Sequence, residues 1–182
     1  YKMNFKDLRG KRIFLKEVDL EILDDVHEYS TIPSFYEFLE FPPFKSLEDT
    51  KKYLKKLISR MNCKNAHYWS INTIAPKKTI GTIGVLNIDW RRMNGDFGYG
   101  LSPSHWGKGY ATEAIGLVLG YLFSEPSFYK LSTMTHFNNK RSIKILEKFG
   151  LKKEGILKKY YLSYDGNRSD AFVYSILKSN YS

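Results

Sequence analysis

The segment "SHWGKGYATEA", residues 104–114, decides how the rest of this 182-residue chain is read. Gly107, Gly109 and Ala111 alternate in it, Lys108 stands between the glycines, and the helix-like run "YATEAIGLVLGYLF" begins at once. Small residues at such a point let something approach the backbone where a side chain would clash. The first N–H groups of a helix have no intrahelical partners, and with the helix dipole they attract phosphate oxygens. A Walker P-loop is excluded, because no Ser or Thr follows Lys108 and no Gly lies five residues before it. The dinucleotide-binding fingerprint is missing its third glycine and its downstream acidic partner. A strand, a small-residue turn and a helix N-terminus remain. They make either a phosphate site or a tight turn that packs the helix on a sheet.

Working outward, "RIFLKEV" (12–18) reads as a strand, and Asp19 as the cap of a helix "LEILDDVHEYS" with Leu20, Leu23 and His27 on one face. The aromatic "TIPSFYEFLEFPPF" reads as a short helix and loop, after which Ser46 opens the helix "LEDTKKYLKKLISRM". "AHYWSINTI" alternates, with Trp69, Ile71 and Thr73 on one face; "TIGTIGVLNIDW" and "DFGYGLS" are strands joined by a hairpin turn at Asn94-Gly95. After the quoted loop comes a helix with Ile115, Val118, Leu119 and Leu122 at helical spacing, then the strand "YKLSTMTH". Asn139 caps "KRSIKILEKFG", Gly150 ends it, and a hairpin turning at Asp165-Gly166-Asn167 closes the chain. This order describes one α+β domain over residues 1–182 with a central, mainly antiparallel sheet.

The net charge of +10 suits a polyanionic small molecule, a nucleic acid, an acidic surface or simply a solvated surface, but the dispersed lysines, with no unbroken basic block and no groove-reading motif, argue against a nucleic-acid-binding module. The longest apolar run, "AIGLVLGYLF", is ten residues, against roughly 20 for a membrane span, so no membrane partner is expected. The charged start "YKMNFKDLRGKR" lacks an apolar core and reads as no secretory leader, with Met3 a candidate native start. Cys63 is the single cysteine, which excludes an intramolecular disulfide and fits a reducing cytoplasm. It has no acid–base pair beside it in sequence and reads as a plain thiol. No metal is expected.

"WGKGYATEA" resembles the acetyl-CoA loop of the GNAT N-acetyltransferases, whose pattern is Arg/Gln-x-x-Gly-x-Gly/Ala. Gly109 and Ala111 match its last two positions, and Trp106 stands where Arg or Gln is commonest. That Trp with the following Tyr-Ala-x-Glu-Ala resembles the branch containing the ribosomal-protein N-terminal (Ser/Ala) acetyltransferases. "HFNNKRSIKILEKFGL" is similar to the branch's His-x-x-Asn-x-x-Ser…Leu-Glu-Lys-x-Gly-Phe segment, with Leu151 for Phe, and "DFGYGLSP" to its Glu-x-Gly-Tyr-x-Leu-x-Pro strand, with Asp96 for Glu. The closing hairpin is similar too, so the resemblance runs over residues 10 to 178 in the family's element order. It implies a mixed, mainly antiparallel sheet with splayed fourth and fifth strands, flanked by about four helices. It also implies acetyl-CoA, its pyrophosphate on the N–H groups of residues 107 to 112 and its pantetheine arm along Leu101. The cofactor-binding residues so implied are Leu101, Trp106, Gly107, Lys108, Gly109, Tyr110, Ala111, Thr112 and Asn139. Asn139 is also a good N-cap whatever else it does.

Acetyl transfer needs a neutral amine, a polarised thioester carbonyl and a proton for the departing thiolate. Many GNAT enzymes supply that proton from a Tyr seven residues after the Asn; here the position is Leu146, and relatives of the branch point to Ser142. Ser142 shares a helical face with Ile145, Leu146 and Phe149, so it is either the donor or a buried serine bonded to its own helix backbone. Met134 stands where some members carry a glutamate base. The candidates for the base are Glu37, Glu40, Asp96, His136 and His67, of which Asp96 alternatively braces a strand pair and His136 is alternatively structural. Glu37, Phe38, Glu40 and Tyr99 are candidates for the acceptor wall, the "SFYEFLEF" stretch being otherwise an aromatic core segment. The reading is a cytoplasmic N-acetyltransferase, monomer or homodimer, moving acetyl from acetyl-CoA to a primary amine by direct attack in a ternary complex. A protein N-terminal α-amine is the acceptor the branch implies. An amino sugar, a polyamine or an antibiotic amine is the alternative, and a non-catalytic acyl-CoA sensor the alternative of another class.

Overall fold

Ile13 and Leu15 on one strand and Trp69 and Ile71 on the next each stand two residues apart, and the period of two buries all four on one face of a sheet. In the computed structural model, which describes residues 5–182, the strands are β1 Leu8–Arg9, β2 Ile13–Glu17, β3 His67–Thr73, β4 Lys78–Asp89, β5 Asn94–Leu101, β6 Lys130–His136, β7 Lys152–Leu162 and β8 Arg168–Leu177. The helices are α1 Leu23–Ser30, α2 Leu47–Asn62, α3 Tyr110–Ser124 and α4 Lys140–Lys148. Met3 lies outside the described residues. Sheet order is β1-β2-β3-β4-β5-β6-β8-β7, and every neighbouring pair is antiparallel except β5 with β6. This is the mixed, mainly antiparallel sheet with four helices that the resemblance implies. Among the described residues no helix is long and apolar enough to cross a membrane.

The two faces of the sheet carry separate apolar clusters. Ile115, Val118, Leu119 and Leu122 of α3 and Leu146 of α4 pack on one face against Trp69, Ile83 and Phe97. Val26 and Tyr29 of α1 and Leu54 and Leu57 of α2 pack on the other against Tyr68. Covered on both sides, β3 is buried along its whole length. A buried Leu or Ile contributes about 1.5–3 kcal/mol, whereas a side-chain cap contributes about 1. The buried face of α3 therefore outweighs the cap it lacks at Gly109.

Two local expectations are corrected. Asp19 does cap, but by accepting the Glu21 N–H, and a short 3₁₀ turn over Leu20–Ile22 precedes α1. Its tighter winding shifts the phase, so Ile22, Val26 and Tyr29 face the core, Leu20 is exposed, and Leu23 and His27 are half-buried. The hairpin between β4 and β5 turns at Trp90–Met93, where Asp89 accepts the N–H groups of Arg91 and Arg92; Asn94 and Gly95 already belong to β5. A side chain at Gly95 would put its Cβ 3.0 Å from the Phe128 ring, so packing, not turn geometry, calls for that glycine.

The splay lies between β5 and β6. They pair only over Asn94–Asp96 with Lys130–Ser132. Beyond that, Phe97–Leu101 stay with β4 while Thr133–His136 stay with β8, and a wedge opens between them.

Candidate active site

The small-residue loop ahead of α3 sits at the mouth of the wedge. Gly107 and Gly109 both take positive φ, +72° and +81°, a region closed to most side chains. A Cβ at Gly107 would meet nothing within 4 Å, whereas one at Gly109 would lie 3.1 Å from Arg12 Nη2. Because the N-cap of α3 is a glycine, no side chain takes its first N–H groups. Among the described residues, none of the six N–H groups from Gly107 to Thr112 has a protein acceptor. Arg12, at the entry to β2, fixes the loop. Its Nη1 donates to the Lys108 carbonyl at 2.8 Å, its Nε to Glu113 Oε2 at 3.0 Å, and its guanidinium lies 4.6 Å from the Tyr110 ring centre. Burial pushes the Glu113 carboxyl up, but the hydrogen bonds from Arg12 outweigh it and hold the carboxyl below its usual range.

From these N–H groups a cleft of about 590 Å³ runs into the wedge. Gly107, Gly109, Ala111 and Thr112 line one end, Leu101 and Tyr99 the β5 side, Asn139 and Ser142 the α4 side, and Glu37, Phe38 and Glu40 the far wall. Asn139 Oδ1 accepts the Ser142 N–H at 3.2 Å, as an N-cap does. Ser142 is 9% exposed, and the Tyr99 hydroxyl donates to its Oγ at 3.1 Å. Arg141 crosses the cleft, stacked 3.8 Å from the Trp106 ring centre and with Nη2 3.5 Å from Glu37 Oε2. A smaller pocket of about 280 Å³ adjoins the far wall, bounded by Glu37, Glu40, Asp165 and the rings of Tyr36, Tyr161 and Tyr164.

The profile of the acetyltransferase (GNAT) domain matches residues 12–152. The chain belongs to the GNAT acetyltransferase family. It is 28% identical over 174 residues to the uncharacterized N-acetyltransferase p20 of Bacillus licheniformis, covering 96% of this chain and 97% of that one. It is 24% identical over 168 residues to the spermidine N(1)-acetyltransferase of Vibrio cholerae, covering 92% of each. The crystal structure of RimL, a ribosomal α-N-protein acetyltransferase, shares the fold with a TM-score of 0.84 at 16% identity, covering 94% of both chains. The protein is an N-acetyltransferase with acetyl-CoA as co-substrate.

The GNAT fold gathers most of the residues singled out in the sequence, and leaves some out. Leu101, Trp106, Gly107, Gly109, Tyr110, Ala111, Thr112, Asn139, Ser142, Tyr99, Glu37, Phe38, Glu40 and His136 all line the cleft. Lys108 does not: its Nζ closes the preceding turn on the Ser104 carbonyl at 2.9 Å. Trp106 donates its indole N–H to the Leu101 carbonyl at 2.8 Å, so it props the end of β5. Asp96 is corrected as a base. It lies on the paired part of β5 and accepts from Asn87 Nδ2 at 2.9 Å, outside the cleft. His67 is corrected too. It is buried at the start of β3, stacked on Phe5 and edge-on to Trp69, and burial takes its pKa down to about 4. His136 faces the cleft, but its Nδ1 accepts the Asn138 N–H at 3.1 Å, so its basic lone pair is occupied. Burial also lowers its pKa and keeps it neutral, against the opposing pull of Glu37. Cys63 caps the far end of α2 and does not line the cleft. Sequence reasoning missed Arg12, because its partner Lys108 lies 96 residues away, and missed Arg141 and Tyr161, which carry no spacing signal.

Proposed function

We propose that this acetyltransferase works by direct attack of a primary amine within a ternary complex held in the 590 Å³ cleft. The carrying observation is the run of six unpartnered N–H groups, Gly107 to Thr112, at the open end of the β5–β6 wedge. The fit to coenzyme A is good on the chain's own terms. The N–H run and the α3 dipole suit a pyrophosphate. Arg141 and Lys144 add positive charge along the cleft, and the unpaired edge of β5 near Leu101 suits an extended amide-bearing arm. Bound there, acetyl-CoA supplies the thioester that the amine attacks.

In this reading Ser142 holds the proton given to the departing sulfur. With Asp96 and His67 outside the cleft and His136 engaged, the wall carboxylates Glu37 and Glu40 are the bases left to take the amine's proton through water; Glu37 faces Arg141 through Oε2 at 3.5 Å and Glu40 accepts the Leu162 N–H through Oε1 at 2.9 Å, so each keeps a second oxygen. A carboxylate is a weak base, which favours an acceptor whose amine deprotonates easily. An α-amine, with a pKa of ~8, does so more readily than a lysine-type amine at ~10.4. A protein N-terminal α-amine is therefore the first acceptor reading, in line with the branch resemblance. The acidic and aromatic side pocket favours a second, a polyamine whose distal ammonium suits Glu37, Glu40 and the tyrosine faces. Likeness to the Vibrio cholerae enzyme supports it. The continuous sheet supports reading residues 1–182 as one domain, and the lone, exposed Cys63 supports a cytoplasmic placement.

The test is thiol release from acetyl-CoA against peptides with free Ser or Ala N-termini, spermidine and amino sugars. Mass spectrometry of enzyme incubated without acceptor runs alongside. Turnover with one amine class and no acetylated enzyme is expected. An acetylated protein that passes its acetyl group to the amine would replace direct attack with a two-step route.

A further inference from the structure

Serine is a poor acid by itself, because giving up its proton leaves an alkoxide, and the arrangement around Ser142 addresses that. Its hydroxyl has one proton to give and two lone pairs to receive. A first-turn serine ordinarily gives its proton to a carbonyl of its own helix or the preceding turn. Ser142 does not: among the described residues its Oγ has one hydrogen-bond partner, the Tyr99 hydroxyl at 3.1 Å, and there Ser142 accepts. Its own proton is left free beside the cleft that both side chains line. Burial pushes the Tyr99 phenol up, with the Ser142 hydrogen bond and Arg141 opposing, so the phenol stays protonated at neutral pH. Tyr99 comes from β5, on the same strand face as Phe97 and Leu101, while the α4 position that carries the acid in many family members is Leu146, fully buried here.

Building on the reading of Ser142 as donor, we propose that Tyr99 is the positioning residue for that proton and its source of replacement. By donating into Ser142, Tyr99 obliges the serine to accept on that side and turns its proton toward the sulfur. As the Ser142 O–H bond breaks and the S–H bond forms, the Tyr99 proton moves to Ser142 Oγ. The phenolate left on Tyr99 takes a proton from solvent. The net acid is then a phenol, a stronger acid than the serine alcohol, and no alkoxide is formed. The chain thus recovers from a strand the phenol it lacks on α4.

The experiment compares wild type, Tyr99→Phe, Ser142→Ala, Ser142→Thr and the Tyr99→Phe/Ser142→Ala pair. Readouts are kcat, KM for acetyl-CoA, melting temperature, and the ionisation of the thiol of bound coenzyme A, followed by thiolate absorbance as pH is raised. Tyr99→Phe is expected to lower kcat about 100-fold with KM and melting temperature nearly unchanged. The bound thiol should ionise at lower pH than free coenzyme A in wild type, and lose that shift in Tyr99→Phe. Ser142→Thr, which keeps the hydroxyl, should retain both properties, and the pair should be no slower than Ser142→Ala alone. Tyr99→Phe with kcat within about twofold of wild type, and an unmoved thiol titration, overturns the relay. So does a loss in the pair that multiplies the two single losses, which leaves Ser142 as a donor working alone. Wild-type kcat in Ser142→Ala overturns the underlying reading of Ser142 and the relay with it. Should Tyr99→Phe fail to fold, Tyr99→Leu, which also removes the phenol, takes its place with the same expected and overturning results.

Discussion

Gly109 and Gly107 make the same backbone demand for different surroundings, and this separates what the loop is for. Both need positive φ, which costs a side-chain-bearing residue about 1–2 kcal/mol. Only Gly109 faces a neighbour, Arg12 Nη2. Gly109→Val is expected to lower stability by about that amount and acetyl-CoA affinity by roughly tenfold or more, because the branched side chain stands where the N–H groups are exposed. Gly107→Ala carries the backbone penalty alone and gauges it. Calorimetry and thermal melts on both variants are the check, and wild-type affinity in Gly109→Val would reduce the loop to a structural turn. Ser142 is a residue whose role its neighbours set. Ser142→Ala is expected to cut kcat about 100-fold while costing about 1 kcal/mol, the latter from the Tyr99 hydroxyl losing its acceptor. Legible in the sequence was that Ser142 points inward. Its bond to Tyr99, 43 residues back, was not.

α3 begins without a side-chain cap, and the tie that steadies its start comes from another element. Arg12 at the head of β2 reaches the Lys108 carbonyl and Glu113, linking strand, loop and helix. Glu113 has its pKa lowered in the folded protein, so its contribution is complete above the usual carboxylate range and is lost as pH falls through the folded value. Glu113→Gln is therefore expected to be less stable than wild type at about pH 7, with a gap that narrows as pH falls below the usual carboxylate range. Urea unfolding across that range checks it, and a gap that does not narrow on acidification removes the carboxylate from the account. α4 is a simpler case. Asn139 was readable as its N-cap and is one, because capping depends on residues three apart in the chain. The phase of α1 was misread because a 3₁₀ turn, invisible to a 3.6-residue period, precedes it.

At the scale of the whole molecule, His67 is a titratable group under strong burial outside the cleft. His67 lies 4% exposed against Phe5 and Trp69, and among the described residues its Nε2 lacks a partner. Its folded pKa of about 4 is below the unfolded value of 6.5. Its sign is that of a depressed group: stability is full above about pH 6.5 and falls as pH drops toward 4, on the order of 3 kcal/mol in all. His67→Phe, which keeps the aromatic stack, is expected to flatten the stability profile across that window. A profile as steep as wild type's would place the pH sensitivity in other groups. Cys63 also lies outside the cleft, so Cys63→Ala should leave turnover unchanged.

The sequence by itself determined the elements, the sheet class, the small-residue loop ahead of α3, and the family, because these rest on local periodicity, capping and closely spaced motifs. It could not separate Asp96, His67 and His136 from Glu37 and Glu40 as bases, since that depends on which side of a strand or helix each faces and on what occupies its lone pairs. The tertiary structure alone decided that Arg12 holds the loop, that Arg141 spans the cleft, and that Tyr99 meets Ser142. The physical reason is that β5 and β6 part after three paired residues, and the opening brings together side chains from elements with no spacing in common.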